Sequence, residues 1–172
     1  IAVAGGLAVA ATAALVVWPR SQPAQVTIAV ANERAIEARF TGERFAMHRP
    51  LGVLRGDRRV ETISLGDLAK LEANKSHRDL VAALAATGDL ERARTVIAAL
   101  PADAATESDR AAVALATGDH EGALAHAYRA IAQAPDLPAA WWNLALAARE
   151  LGLLRSSKAA FAKVAAATEP GW

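Results

Sequence analysis

The chain of 172 residues has no cysteine, few aromatic residues and almost no net charge. Without a thiol, neither a disulfide nor a cysteine nucleophile lies within these residues. Nineteen basic residues against eighteen acidic residues give a formal net charge of +1, and this balance does not indicate a nucleic-acid partner. Aromatic residues make up 5% of the chain, whereas alanine is abundant. Because alanine has the highest helix propensity and little to offer a sheet, the composition predicts an all-α fold.

The first 18 residues, IAVAGGLAVAATAALVVW, contain no charged side chain. A helix of this length spans about 27 Å, which approaches the ~30 Å hydrocarbon core of a bilayer, and Trp18 lies where an interfacial aromatic residue belongs. We predict a single-pass membrane anchor over residues 1–18, in a fragment of a longer protein, since the chain begins at Ile1. The alternatives are a cleaved signal peptide, which would leave a secreted or periplasmic adaptor, and a buried alanine-rich helix.

Residues 19–63 are predicted to form a linker next to the membrane. Two stretches in it, VTIAV (26–30) and AIEARF (35–40), alternate in places between apolar and polar residues. Such alternation is typical of strands, but each stretch also fits a short helix. The sequence therefore predicts an irregular or strand-containing segment between the anchor and the rest of the chain.

A basic cluster lies near the end of this linker. It consists of Arg49, Arg55, Arg58 and Arg59. One interpretation is contact with lipid phosphates or with an acidic partner surface. The other is a solvated loop whose arginines pair with neighbouring acidic residues, which is the more common role of exposed charges.

From residue 64 onward the sequence repeats itself, most visibly as Ala-Thr-Gly-Asp at 86–89 and again at 116–119. Three glycines, spaced by 30 and 34 residues, are predicted to end the first helix of three helix pairs: Gly88, Gly118 and Gly152. A small residue five positions later marks where the second helix approaches the first: Ala93, Ala123 and Ser157. Prolines at 101, 135 and 170 close the units, which we place at 74–101, 104–135 and 138–170 within a helical region of residues 64–172.

These features resemble the tetratricopeptide repeat (TPR) family. The family's characteristic offsets are matched in the last unit by Trp141, Leu144, Ala145, Ala148, Gly152 and Phe161, and in the middle unit by Gly118, Ala123, Ala130 and Pro135. The first unit is about four residues short, and Ser157 replaces the usual alanine. The resemblance implies a superhelical stack of helix pairs, with Trp141 and Phe161 in its core and a groove that takes a protein or peptide segment.

A candidate partner-binding stripe follows from the same unit. Trp142, Leu146 and Arg149 are spaced i, i+4 and i+7, so that they share one face of a helix. The resemblance places that face in the groove, with Asn143 beside it at an offset where the family often uses asparagine to grip a partner backbone. Packing of Trp142 against a further helix beyond Trp172 is the alternative.

A second resemblance concerns the order of the segments. RAIEARFTGERFAMHRPLGVLRG, within residues 33–56, precedes AAWWNLALAARELGL and a closing EPGW. This order is similar to the region between membrane anchor and peptidase in bacterial CHAT-domain proteins, which are caspase-like peptidases associated with TPRs. The resemblance implies that the chain is the anchor and regulatory part, with its repeats in the periplasm. Any peptidase domain would then follow Trp172.

No residue pattern in the chain predicts catalysis. The four histidines include one close pair, His120 and His126, but a separation of six residues places them on different helical faces. No glycine-rich phosphate loop follows a strand, and Ser156 and Ser157 have no base nearby in the sequence. We expect a non-catalytic scaffold that binds protein, with no cofactor, metal, small-molecule substrate or nucleic acid.

Overall fold

The computed structural model describes residues 30–31, 33–46, 49–51 and 61–167. This part of the chain is all-α, as predicted, and it contains seven helices. They are α1 (Leu65–Ala73), α2 (His77–Ala86), α3 (Leu90–Ala98), α4 (Ala104–Ala116), α5 (His120–Gln133), α6 (Pro138–Glu150) and α7 (Leu154–Ala165). The anchor predicted over residues 1–18 lies outside the described residues. Among the described helices, none combines the length and apolar character needed to cross a bilayer.

The ends of the helices follow from local chemistry. Ser64, Asp89, Asp103 and Asp119 cap α1, α3, α4 and α5, each accepting a hydrogen bond from the backbone N–H three residues later. The three glycines of the repeat have left-handed φ values of 86°, 80° and 73°. After each glycine, the next N–H donates back to the helix, as Asp89 does to the Leu84 carbonyl at 2.9 Å. These Schellman motifs end α2, α4 and α6 where the repeat spacing predicts.

The helices pack as antiparallel pairs, and the first helices of the pairs also contact one another. Helix α4 touches both α2 and α6, whereas α3, α5 and α7 pack beside them. The small residues five positions after each glycine are buried, which allows this close approach. Ser157 fits the position of the usual alanine because its hydroxyl donates to the Ala145 carbonyl at 2.9 Å. We call the surface formed by α2, α4 and α6 the inner face.

A segment of the predicted linker lies on the inner face, and we call residues 33–46 the strap. It has no regular secondary structure, and it ends in a turn at 42–46 where the Phe45 N–H donates to the Gly42 carbonyl at 2.9 Å. Residues 35–40, which fit a strand or a helix in the sequence, form neither; the segment has one isolated parallel bridge, between Arg34 and Leu51. Ala38, Phe40 and Phe45 are buried in the main core cluster with side chains of α2. The strap therefore contributes to the core of the repeat region.

The two aromatic residues expected in the core are less buried than predicted. Trp141 and Phe161 are each partly exposed and pack at the edge of a smaller cluster around Leu144. Phe161 also meets Trp142 edge to face, with ring centroids 5.3 Å apart. The cores are filled mainly by alanine and leucine, so that the tryptophans pack against their margins.

Candidate functional site

The candidate site is the inner face together with the strap that lies across it. All four residues of the predicted groove stripe meet there. Trp142, Asn143 and Arg149 contact strap residues directly, and Leu146 is buried in the same core cluster as Ala38. The structure thus brings the predicted residues together, and the segment they contact belongs to the same chain. Binding of a separate partner stays a prediction.

Asn143 holds the backbone of the strap at its centre. Its Oδ1 accepts a hydrogen bond from the Arg39 N–H at 2.9 Å, and its Nδ2 donates to the Arg39 carbonyl at 2.9 Å. Nδ2 also donates to the Ser108 carbonyl at 3.1 Å. Asn143 is fully buried, so that these bonds satisfy both ends of an amide that water cannot reach.

Asp109 on α4 binds the strap two residues further on. Its carboxylate accepts from the Thr41 N–H at 2.6 Å and from the Thr41 hydroxyl at 2.8 Å. The residue has no exposed surface, and burial raises the pKa of the Asp109 carboxyl from 3.8 to about 7, against the opposing effect of the two Thr41 bonds. A buried carboxyl therefore holds the strap at α4.

Asp79 on α2 makes the third contact of this kind. Its Oδ1 accepts from the Arg44 N–H at 3.1 Å, and burial raises the pKa of this carboxyl as well. Gly42 approaches the start of α2 so closely that a Cβ at this position would lie 2.6 Å from Asp79 Oδ1 and 3.0 Å from the Asp79 nitrogen. The strap can pass here because residue 42 has no side chain.

Asp79, Asp109 and Asn143 occupy the same position in the three repeat units, nine residues before Gly88, Gly118 and Gly152 respectively. Each contributes a side-chain oxygen to one strap N–H: those of Arg44, Thr41 and Arg39. We call these three side chains the Asx ladder. The strap crosses them in reverse order, because its earlier residues meet the last unit.

At its other end the strap is held by a more exposed pair of residues. The Arg149 guanidinium donates to both carboxylate oxygens of Glu37, each at 2.9 Å, and the two side chains are 42% and 39% exposed. Hydrogen bonds from Arg149 lower the pKa of the Glu37 carboxyl. The Trp142 indole N–H donates to the Glu37 carbonyl at 2.9 Å. This bidentate pair selects for an acidic side chain at that point of the strap.

Two arginine side chains of the strap lie over the Trp142 ring. The guanidinium carbons of Arg34 and Arg39 lie 5.5 Å and 5.3 Å from its ring centroid. Burial, with the charge of Arg39 nearby, lowers the pKa of Arg34 to about 10. Arg34 also donates to the carbonyls of Ile36 and Glu37, which fixes the curve of the strap. Trp142 therefore serves as a platform for the strap.

A cleft of about 260 Å³ opens beside residues 35–38 of the strap. Its other walls belong to α2, α3, α4 and α6 and to His120 at the start of α5. The apolar lining includes Ile36, Leu90, Leu115 and Leu146, and the polar lining includes Glu37, His120, Arg149 and Glu150. The cleft is continuous with the exposed Glu37–Arg149 pair, so that solvent reaches the strap from this side.

The structure describes one residue of the predicted basic cluster. Arg49 pairs with Glu61 at 2.8 Å, and both side chains are mostly buried. Arg49 also donates to the Ala31 carbonyl, and its own carbonyl accepts from Arg34. Arg55, Arg58 and Arg59 lie outside the described residues. Arg49 thus helps to position the residues next to the strap.

Sequence reasoning missed Asp79, Asp109 and the strap residues that they bind. A signal was present, because a polar residue nine positions before each helix-ending glycine repeats with the same spacing as the glycines themselves. A hydrogen-bonding side chain that recurs on one face of a repeat predicts a common role. Nothing in the linker's own sequence indicates which segment fills the face.

Comparison with protein-family models, curated proteins and solved structures gives no significant match for this chain. Among the described residues, no group of three or more histidine or acidic side chains is arranged to hold a metal ion. The interpretation of the site therefore depends on its own geometry.

Proposed function

We propose that this chain is a non-catalytic, TPR-like scaffold that binds an extended polypeptide along its inner face. The Asx ladder is the observation that supports the proposal. Side-chain oxygens that accept from backbone N–H groups recognise an extended chain whatever its side chains are. The amides of Arg39 and Thr41 are two residues apart, and in an extended chain such amides point to the same side.

In the chain as described, the strap is the bound polypeptide. Its binding ties the residues that precede it to the last helix pair, through Arg39 and Glu37. We propose that the chain is attached to a membrane through residues 1–18, so that the repeats are coupled to the membrane by the strap. We also propose that it is the regulatory part of a bacterial CHAT-type protein, with periplasmic repeats. A secreted or periplasmic adaptor with a cleaved signal peptide is the alternative.

Site-specific photo-crosslinking of the natural full-length protein in its own cells tests the scaffold. A photoreactive residue at Glu150, which lines the cleft, is compared with one at Tyr128, which is 51% exposed on α5. We expect a discrete adduct at position 150 that is absent at position 128. Mass spectrometry should locate the crosslink in an extended segment of the captured protein. The same products at both positions, or none at position 150, would refute the scaffold.

Fractionation of the same protein tests its attachment to the membrane. Retention in the membrane pellet after carbonate extraction, with residues 1–18 present in the mature protein by mass spectrometry, is expected for an anchor. A soluble product that lacks these residues would support the secreted alternative and exclude the anchor. This measurement is independent of the crosslinking result.

A further inference from the structure

We infer that the strap is an internal competitor for the inner face, and that the partner of this face is an extended segment with the pattern Glu-x-x-Phe-Thr. This inference rests on the proposed function and names the partner's chemistry. The pattern is that of Glu37, Phe40 and Thr41, whose side chains contact Arg149, the main core cluster and Asp109 respectively. A partner segment that carries it satisfies the same groups.

The helices contact the strap in two ways. Some of their side chains bind its main-chain groups, and others bind its side chains. Asn143 and Asp109 accept from main-chain N–H groups two residues apart and accommodate any extended segment, whereas Asp79 accepts from Arg44 within the turn at 42–46. Three further contacts discriminate. Arg149 requires a carboxylate, the core beside α2 takes an aromatic ring, and Asp109 accepts from a hydroxyl. Within residues 37–41, side-chain specificity therefore resides mainly at positions 37, 40 and 41, whereas Asn143 and Asp109 fix the register between them.

When such a segment displaces the strap, each contact that the strap loses at positions 37, 40 and 41 is replaced by the same kind of contact with the partner. Phe40 is 6% exposed and Phe45 is 5% exposed, so release of the strap alone would open the core to water. The aromatic residue of the pattern refills the space of Phe40, and an incoming backbone satisfies the buried Asn143 and Asp109. The barrier to a partner is then the effective local concentration of the strap, which is covalently tethered to the helices, on the order of 1 mM.

The exchange has a place to begin. Ile36 and Glu37 are only partly buried, and the 260 Å³ cleft lies directly beside them. The Glu37–Arg149 pair is open to solvent, so a competing carboxylate can reach Arg149 before the buried strap residues move. A like-charge contact at this pair should weaken the strap without touching the core.

A charge-reversal experiment on the whole chain tests the inference. The probes are a fluorescein-labelled peptide of residues 33–46, ERAIEARFTGERFA, and the same peptide with arginine at the position of Glu37. Glu37→Arg places two arginines together beside Glu150, and Arg149→Glu places three glutamates together, because Glu150 already binds Arg149 at 2.8 Å. We expect the native peptide to bind the Glu37→Arg chain at least tenfold more tightly than the unmodified chain. The reversed peptide should prefer the Arg149→Glu chain by a similar factor.

The double variant Glu37→Arg/Arg149→Glu is the matched control, because it restores an attractive pair within the chain. It should bind the peptides no better than the unmodified chain does. Circular dichroism shows whether the variants are folded, which their exposed positions lead us to expect. If folded single variants bind neither peptide, or bind both alike, the inference fails. A crosslink at position 150 would then leave the scaffold itself standing.

Sedimentation of the unmodified chain distinguishes two occupants of the inner face: the strap of a second copy of this chain and a segment of a different protein. The inference requires a monomer at about 100 µM, since the tethered strap outcompetes untethered straps at that concentration. A stable dimer would show that the inner face takes the strap of a neighbouring copy, and it would overturn the assignment of a separate partner.

Discussion

Asn143 and Arg39 are joined by two hydrogen bonds, although 104 residues separate them in the chain. The Asn143 amide accepts from the Arg39 N–H and donates to the Arg39 carbonyl, as a neighbouring strand would. One side chain of α6 thus completes the main-chain hydrogen bonding of a strap residue that is 4% exposed. Without it, both backbone groups of Arg39 would lose these hydrogen bonds in a buried position.

Replacement of Asn143 by alanine should therefore destabilise the fold. The change leaves the Arg39 N–H, the Arg39 carbonyl and the Ser108 carbonyl without this partner, and we expect a loss of about 1–3 kcal/mol in the free energy of unfolding. Urea denaturation measures it. Asn74→Ala is the control, because the Asn74 amide donates to the Lys70 carbonyl at 2.8 Å in an exposed position. Equal losses in the two variants would contradict the role of Asn143.

The two adjacent tryptophans give a second prediction. The sequence places Trp141 in the core, so that its removal should cost far more than that of Trp142. In the structure both are partly exposed, but Trp142 bonds to the strap, meets Phe161 and packs against the main core cluster. We now expect Trp142→Ala to cost at least as much as Trp141→Ala, about 3 kcal/mol or more. A much smaller loss of unfolding free energy for Trp142→Ala than for Trp141→Ala in urea denaturation would instead favour the sequence-based expectation that Trp141 is the core residue.

Asp109 should make stability depend on pH. Its carboxyl has a pKa of about 7 in the folded chain against an ordinary 3.8, so the folded chain binds the proton more tightly. The stabilisation from this group is complete below about pH 4 and is lost as the pH rises through 7. Asp79, whose pKa is also raised, acts in the same direction. The groups that face Asp109 are Thr41, which binds it, and the nearby Arg78–Asp103 ion pair, whose charges also act on its pKa.

Asp109→Asn removes this contribution while keeping the shape of the side chain. We expect the unfolding free energy of the variant to fall less steeply between pH 4 and pH 7 than that of the unmodified chain. Titration of Glu107 has little effect on this comparison of the two pH curves. Burial opposes its ionisation, but hydrogen bonds from His126, Arg129 and Arg110 lower its pKa to about 2, so its effect appears only in stronger acid. Parallel curves for the two chains would show that Asp109 does not titrate in this range.

Gly42 provides a fourth prediction, on the passage of the strap past α2. An alanine Cβ there would lie 3.2 Å from the Arg78 carbonyl carbon and closer still to Asp79. Since backbone atoms cannot move aside cheaply, we expect Gly42→Ala to cost roughly 1–3 kcal/mol. Gly66→Ala, in α1, meets nothing closer than the Ser64 hydroxyl at 3.7 Å, and it should be neutral or stabilising by about 0.5–1 kcal/mol. Thermal unfolding of both variants gives the comparison.

The repeat could be predicted from the sequence because its signals are local. A left-handed glycine, a capping aspartate and a small residue at the helix contact act within one helix pair, and their spacing is visible in the letters. The stripe of Trp142, Leu146 and Arg149 follows from the same periodicity, and Asn143 beside it is predicted from the resemblance to the TPR pattern.

The strap could not be predicted in this way, because what holds it is distant in sequence. Its binding depends on Glu37 meeting Arg149 and on Thr41 meeting Asp109, and these contacts join the linker to helices far along the chain. Alternation in AIEARF is compatible with several conformations, and the one adopted is selected by the inner face. The Asx ladder was visible as a periodic polar position, but its ligand was not.

The strap also sets the order in which the chain can acquire its structure during synthesis. Helix pairs in a repeat array need only their neighbours and can fold as they emerge. Glu37 cannot form its ion pair until Arg149, 112 residues later, has been synthesised. At ribosomal rates of about 5–20 residues per second, this delay is roughly 5–20 s. Arg39 likewise acquires its backbone contact only when Asn143 has been synthesised. The first described segment to leave the ribosome is thus the last to find its place, and during that interval it is open to chaperones and to neighbouring nascent chains.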